Sequence, residues 1–134
     1  DGLRQSARLG IAAAGLGPSD IAVLKVWGTG HTLVDAGEAK AMLDVFGANL
    51  DSTAALSIKG AIGTPLAAAP AIQVAVAALG HVEGQIPPTV NWEFPDPLCP
   101  LNLSNKTRSI EHRRTLLNAH GVGGVNGSLV LTGC

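Results

Sequence analysis

Aromatic residues are scarce: the 134-residue chain has two Trp, two Phe and no Tyr. Few rings are available to stack on bases, and a formal net charge of −1 leaves no basic footprint. Neither a nucleic-acid partner nor an anionic membrane surface is expected on those grounds. Cysteine is scarce too. Cys99 and Cys134 form no Cys-x-x-Cys pair, so a zinc site or dithiol redox motif is not expected. Reduced thiols in a cytoplasmic protein are the favoured reading, with a disulfide as the alternative. The opening Asp1-Gly2-Leu3-Arg4-Gln5 lacks the basic and apolar regions of a signal peptide. The sequons at Asn102, Asn105 and Asn126 are accordingly read as chance matches.

Charge is missing altogether from Gly60 to Gly80. That stretch is long enough to cross a bilayer. Thr64, Pro65, Pro70 and Gln73 interrupt it, however, and much of the remainder is Ala. A core helix buried on all sides, with no membrane, is the expectation.

What the chain does have is Ala, Gly and a hydrophobic fraction of 46%, which suits closely stacked layers around one core. Leu3, Ala7, Ile11 and Ala14 recur at helical spacing, and Gly15, Gly17 and Pro18 end that helix. Ile21 to Trp27 reads as a buried strand and Gly28-Thr29-Gly30 as a loop. A helix from Asp35 to Phe46 follows, with Asp35 as N-cap, Gly47 as stop, and Ala39, Met42, Leu43 and Phe46 inward. Thr53 to Ile58 predicts a second strand and Lys59 to Thr64 a loop. The uncharged helix then carries Pro70 in its first turn, where a missing N–H does no harm. Ile86-Pro87-Pro88 and Pro95-Asp96-Pro97 mark a long extended connection. Leu116 to Ala119 and Ser128 to Leu131 predict two strands around the tight Gly121–Val125 loop. This order predicts an α/β domain over residues 1–134: a mixed, mostly parallel sheet with helices on both faces and an antiparallel last strand.

Five segments in the same order resemble the C-terminal half of β-ketoacyl-carrier-protein synthases, which have the thiolase fold. Trp27-Gly28-Thr29-Gly30-His31, followed by Asp35 and Glu38, resembles the family's His-Gly-Thr-Gly-Thr and its acidic helix. Lys59-Gly60-Ala61-Ile62-Gly63-Thr64 resembles Lys-x-x-x-Gly-His. Ile86 to Thr89 resembles Ile-Pro-Pro-Thr. Phe94 to Pro97 resembles Asn-Pro-Asp-Pro, with Phe94 in place of the Asn. Asn118 to Asn126 resembles the glycine turn Asn-Ser-Phe-Gly-Phe-Gly-Gly-Thr-Asn, with His120 and Val122 replacing the two Phe.

The resemblance implies a chemistry of a cysteine nucleophile and two histidines, which promote loss of CO2 and stabilise charge on the thioester oxygen. The cysteine belongs to the family's N-terminal half, and neither Cys99 nor Cys134 aligns with it. The histidine positions hold Trp27 and Thr64. Indole donates one N–H and accepts nothing, and a threonine hydroxyl does not become cationic. Decarboxylative condensation by the usual route is therefore not expected. Lys59 stands at the family's active-site lysine, with either an electrostatic role or that of a surface lysine. Thr29 matches a threonine that contacts the phosphopantetheine arm; the alternative is a loop residue bonding its own backbone. His31 replaces a second such threonine and reads as a loop histidine or a displaced base. Val122 and Gly123 sit in a turn that either presents backbone N–H groups to a thioester or is a plain hairpin. Val122 lacks the bulk of the family's gating ring. His31 and Asp35, four apart, have no evident partner ligands, so no metal is expected.

The resemblance implies a phosphopantetheine arm as substrate carrier rather than a bound cofactor. It implies an acyl carrier protein as partner, the fold's N-terminal half, and a homo- or heterodimeric synthase. Three functions follow as expectations. One is a non-condensing partner subunit similar to a chain-length factor, in fatty acid or polyketide synthesis. The second is a non-elongating acyltransferase using a cysteine elsewhere in a longer protein. The third is a structural fragment that needs its other half, because the uncharged helix would otherwise be bare.

Overall fold

In this computed structural model residues 1–110 and 113–133 are described; Cys134 lies outside them. The first helix, α1, spans Gly2–Ala13 and buries Leu3, Ala7 and Ile11, one residue per turn on a single stripe. Ala14 is past the helix end and exposed. Gly15, at φ +70°, reverses the chain. The strand β1 covers Val23–Lys25, all buried. The helix α2 spans Thr32–Phe46, β2 spans Ala54–Leu56, the single-turn α3 spans Lys59–Ile62 and α4 spans Ala69–Glu83. Two short strands, β3 at Gln85–Ile86 and β4 at Arg108–Ser109, form an antiparallel ribbon that closes the long connection. The chain ends in the hairpin β5, Arg114–His120, and β6, Asn126–Thr132.

The main sheet has the order β2-β1-β5-β6. The central strand β1 runs parallel to β2 and β5, and β6 returns antiparallel to β5. Register alternates the two faces. Leu24, level with Ala55 and Leu116, joins Val26 against α1 and α2, where Leu3, Ala7, Ile11, Met42 and Phe46 complete the larger core. Val23 and Leu56 face the other way, with Ile86, toward α4 and the ribbon. Each fully buried Leu or Met contributes roughly 1.5–3 kcal/mol. The core on the α1–α2 face therefore holds the carboxyl end of β1 in a fixed position.

Several local expectations are corrected. The second helix begins at Thr32, so Asp35 is inside the first turn rather than its N-cap. Leu43 is exposed, because the inward stripe runs through Glu38, Ala39, Met42, Val45 and Phe46. Lys59 to Ile62 is helical rather than loop. Pro70 does sit in the first turn of α4. That helix is buried on one side only, through Ala69, Gln73, Ala77, Gly80 and His81, while Leu79 and Val82 face outward. Segment 66–83 is long and apolar enough to cross a membrane by length and composition, and 22% of it is buried.

The outer edge of β2 is closed by side chain and loop. Ala55 N–H donates to the Asn102 carbonyl at 2.8 Å. The Arg108 guanidinium donates to the Ala55 carbonyl at 2.6 Å and to the Asn102 carbonyl at 2.9 Å.

Candidate functional site

The site forms where β1 runs out and the chain must turn toward α2. Gly28 takes φ +46° there, and a Cβ would stand 2.7 Å from that of Ser57, so this position accepts only glycine without a shift. The Ser57 hydroxyl donates to the Gly28 carbonyl at 2.8 Å and accepts from Lys59 N–H at 3.2 Å. One hydroxyl thereby ties the turn after β1 to the turn after β2.

A carboxylate organises the turn from beneath. Glu38, only 1% exposed, accepts from Trp27 N–H at 2.9 Å, Gly28 N–H at 3.1 Å and the Asn118 amide at 3.1 Å. Asn118 in turn accepts from the Ser128 hydroxyl at 3.1 Å. A buried carboxylate is retained at tolerable cost only when its lone pairs are filled in this way. Asp35 does the same for the next turn, accepting from Thr29 N–H at 2.8 Å, the Thr29 hydroxyl at 3.1 Å and Gly30 N–H at 2.7 Å. Its carboxylate reaches back to the loop, which is why it begins no helix.

Lys59 is buried, so it is not a surface lysine. Its ammonium donates to the Trp27 carbonyl and lies 3.7 Å from the centroid of the Trp27 ring, a cation–π seat. Burial pushes its pKa down, and the charges of Glu38 and Asp35 act against that. The indole of Trp27, itself 8% exposed, also neighbours the His120 ring, centroid to centroid 6.2 Å and tilted by 56°. His120 Nε2 lies 3.7 Å from Glu38 Oε1.

A cavity of about 340 Å³ opens beside this turn, lined among others by Thr29, Asp35, Lys59, Thr64, Trp92 and Cys99. Its size is in the range of small-molecule sites. Burial, with the charges of Asp35, Glu38 and Asp96, pushes the Cys99 thiol up to about 11, which suppresses thiolate character at neutral pH. Of the residues singled out from the sequence, Thr29, Lys59 and Thr64 meet at this cavity, while Trp27, between the lining residues Val26 and Gly28, does not itself line it. His31 is exposed on the loop, its N–H 3.2 Å from the Thr29 hydroxyl, and does not line the cavity. The Thr29 hydroxyl is thus engaged locally, with Asp35 and the His31 backbone. Val122 and Gly123 also lie outside the cavity lining, on the exposed tip of the β5–β6 hairpin, where Gly123 and Gly124 take φ +87° and +82°.

This arrangement has known relatives. Residues 1–93 match the family model of the β-ketoacyl synthase C-terminal domain. The chain belongs to that family. It is 33% identical over 120 residues to 3-oxoacyl-[acyl-carrier-protein] synthase 2 of Coxiella burnetii, covering 89% of this chain and 29% of that protein. It is 33% identical over 129 residues to nodulation protein E of Rhizobium meliloti, covering 96% and 32%. The chain therefore spans about a third of the length of these curated relatives. Among solved structures, the ishigamide ketosynthase/chain length factor superposes with a TM-score of 0.93 at 28% identity, over 98% of this chain and 32% of that one. A type II polyketide synthase acyl-carrier protein in complex with its ketosynthase bound to the hexaketide superposes at 0.94 with 26% identity, over 100% and 34%. The fold is the C-terminal half of the ketosynthase fold.

Sequence reasoning left Glu38 and Asn118 without roles and missed Trp92. For Glu38 a signal was present: an acid on the inward stripe of α2 needs a buried partner set. Lys25 carried a similar signal as the one charge in the Ile21–Trp27 run. It is 2% exposed, its Nζ has no hydrogen-bond partner among the described residues, and burial lowers its pKa to about 7.

Proposed function

We propose that this chain is the C-terminal wall of an acyl-thioester pocket in a protein of fatty acid or polyketide biosynthesis. The pocket receives the phosphopantetheine arm of an acyl carrier protein, and the protein does not elongate by the two-histidine route. It serves instead as the non-condensing partner of an active synthase, similar to a chain-length factor. The observation that carries this reading is the state of positions 27, 59 and 64. Trp27 occupies the first histidine position and engages the ammonium of Lys59 with both its carbonyl and its ring. Thr64, at the second, offers the cavity only a neutral hydroxyl. An indole that holds the neighbouring cation in place stabilises the pocket's shape and leaves no proton-cycling group at either position. The similarity to a ketosynthase/chain length factor pair supports the partner role.

The test uses the complete natural polypeptide, purified alone, with malonyl- and acyl-loaded carrier protein. Saturable binding of the loaded carrier without any β-ketoacyl product is the expected result. Elongation by the protein alone would reject the non-condensing reading, and absence of carrier binding would reject the pocket itself.

A further inference from the structure

A second chamber adjoins the cavity at the start of α2. It encloses about 170 Å³ and shares Asp35, Trp92, Cys99 and Leu103 with the larger space, while Phe94 and Asp96 belong to it alone. Trp92 and Phe94 are two of only four aromatic residues in the chain, and both border this one small space together with two carboxylates. From Gly60 to Asn105 the sequence holds no Lys or Arg, and no described residue lining the chamber is basic.

Hydrogen bonds hold the rim in place. Trp92 N–H donates to the Thr89 carbonyl at 3.3 Å, Thr89 N–H to the Ser104 carbonyl at 2.8 Å, and the Asn91 amide to the Gly60 carbonyl at 3.1 Å. A wall set before a ligand arrives costs little entropy on binding. Phe94 is 80% exposed, so its ring face is open to a ligand.

The charges around the chamber favour one sign. Asp35 accepts from Thr29 and Gly30 N–H. The Asp96 carboxylate accepts the Leu98 N–H at 2.8 Å. Neither carboxylate is in an ion pair among the described residues. The N-terminus of α2 contributes roughly half a positive charge, which two carboxylates outweigh. Lys59 lines the larger cavity and not the chamber, with its ammonium seated on Trp27. The Cys99 thiol on the shared wall registers the same field: burial, then the charges of Asp35, Glu38 and Asp96, push it up. Aromatic faces with carboxylates beside them are the chemistry that recognises an ammonium group. The same field repels a phosphate or a carboxylate. The phosphate end of a pantetheine arm is therefore kept out, and the end that suits the chamber is the acyl end.

We propose that this chamber seats the end of the acyl group and selects one that bears an ammonium, an aminoacyl thioester, over a carboxyacyl one. The proposal rests on the thioester-pocket reading above and deepens it by naming a substrate class. Phe94 and Asp96 are the specificity-determining residues, the first through its ring face and the second through its charge.

The experiment uses the complete polypeptide and three phosphopantetheine thioesters of similar length: β-alanyl with a positive end, butyryl with a neutral end and malonyl with a negative end. Dissociation constants are measured by equilibrium dialysis at neutral pH. The β-alanyl probe should bind about tenfold more tightly than the butyryl probe, and the malonyl probe more weakly than either. Asp96→Asn and Phe94→Leu should each bring the β-alanyl advantage down to about threefold. Equal affinities for the three probes in the wild type, or tightest binding of the malonyl probe, would overturn the proposal, whatever the variants do. A β-alanyl advantage that neither variant reduces would overturn the assignment to this chamber. Binding of all three probes without discrimination leaves the thioester pocket standing, whereas binding of none removes the pocket reading itself, so the two failures are distinct.

Discussion

The ammonium of Lys59 lies 3.7 Å above the centre of the Trp27 indole and donates to the carbonyl of that same residue. One side chain thereby fixes both the ring and the main chain of the turn after β1. Tryptophan here is a packing element with a cation bound to it. Trp27→Ala removes the ring from a nearly closed site and should destabilise the protein by about 3–5 kcal/mol. Trp27→Phe keeps a ring face for the ammonium and should cost less than half as much. Denaturant midpoints at constant m-value distinguish the two.

Glu38 fills three donors at once: Trp27 N–H, Gly28 N–H and the Asn118 amide. Glu38→Ala leaves all three without their acceptor, and each buried orphan costs about 1–3 kcal/mol. Glu38→Gln retains one acceptor oxygen and should be markedly milder. Equilibrium unfolding of both variants gives the ordering, and equal losses would contradict this account of the turn.

Lys25 is buried with its pKa lowered to about 7, because desolvation disfavours the ammonium. Unfolding restores the ordinary value of 10.5, so between those values the unfolded chain binds more protons than the folded one. Stability therefore rises with pH in that window, with a limiting slope of about 1.4 kcal/mol per pH unit. Cys99 works in the opposite sense near its top: its thiol is raised to about 11, so the unfolded thiolate gains above pH 9. The clean interval is pH 7.5 to 9. Urea midpoints should climb across it in the wild type and climb less steeply in Lys25→Met, where only the lowered pKa of Lys59 still acts in that direction.

Gly60 lies against the Val90 carbonyl so closely that a Cβ would overlap it. The contact brings the loop bearing Val90 and Trp92 against α3, and both segments line the 340 Å³ cavity. Gly60→Ala must push them apart. A loss of about 1–3 kcal/mol is expected, together with weaker binding of pantetheine thioesters, measured by thermal melting and dialysis.

Much of the framework was legible because it rests on local periodicity. The stripe Leu3, Ala7, Ile11 and the apolar run into Trp27 announce α1 and β1 without tertiary information. The glycine turn between two short apolar runs announces the closing hairpin. The β3–β4 ribbon was not legible, since Gln85–Ile86 and Arg108–Ser109 are short and pair across a long connection. The start of α2 was misplaced for a physical reason. Asp35 resembles an N-cap, but its carboxylate bonds the Thr29 and Gly30 amides in the preceding loop. At the site, motif positions identified Trp27, Lys59, Thr29 and Thr64, three of which share a cavity with Asp35. The apposition of Glu38 and His120, 82 positions apart in the chain, depends on how β5 lies against α2. No spacing in the sequence encodes it.

The guanidinium of Arg108 has an architectural consequence. By taking the Ala55 carbonyl while Asn102 takes the Ala55 amide, it caps that flank of the sheet against any further strand. Recruitment of an additional ribbon by main-chain pairing is therefore directed to the opposite flank, alongside β6, and the sheet can widen in one direction only.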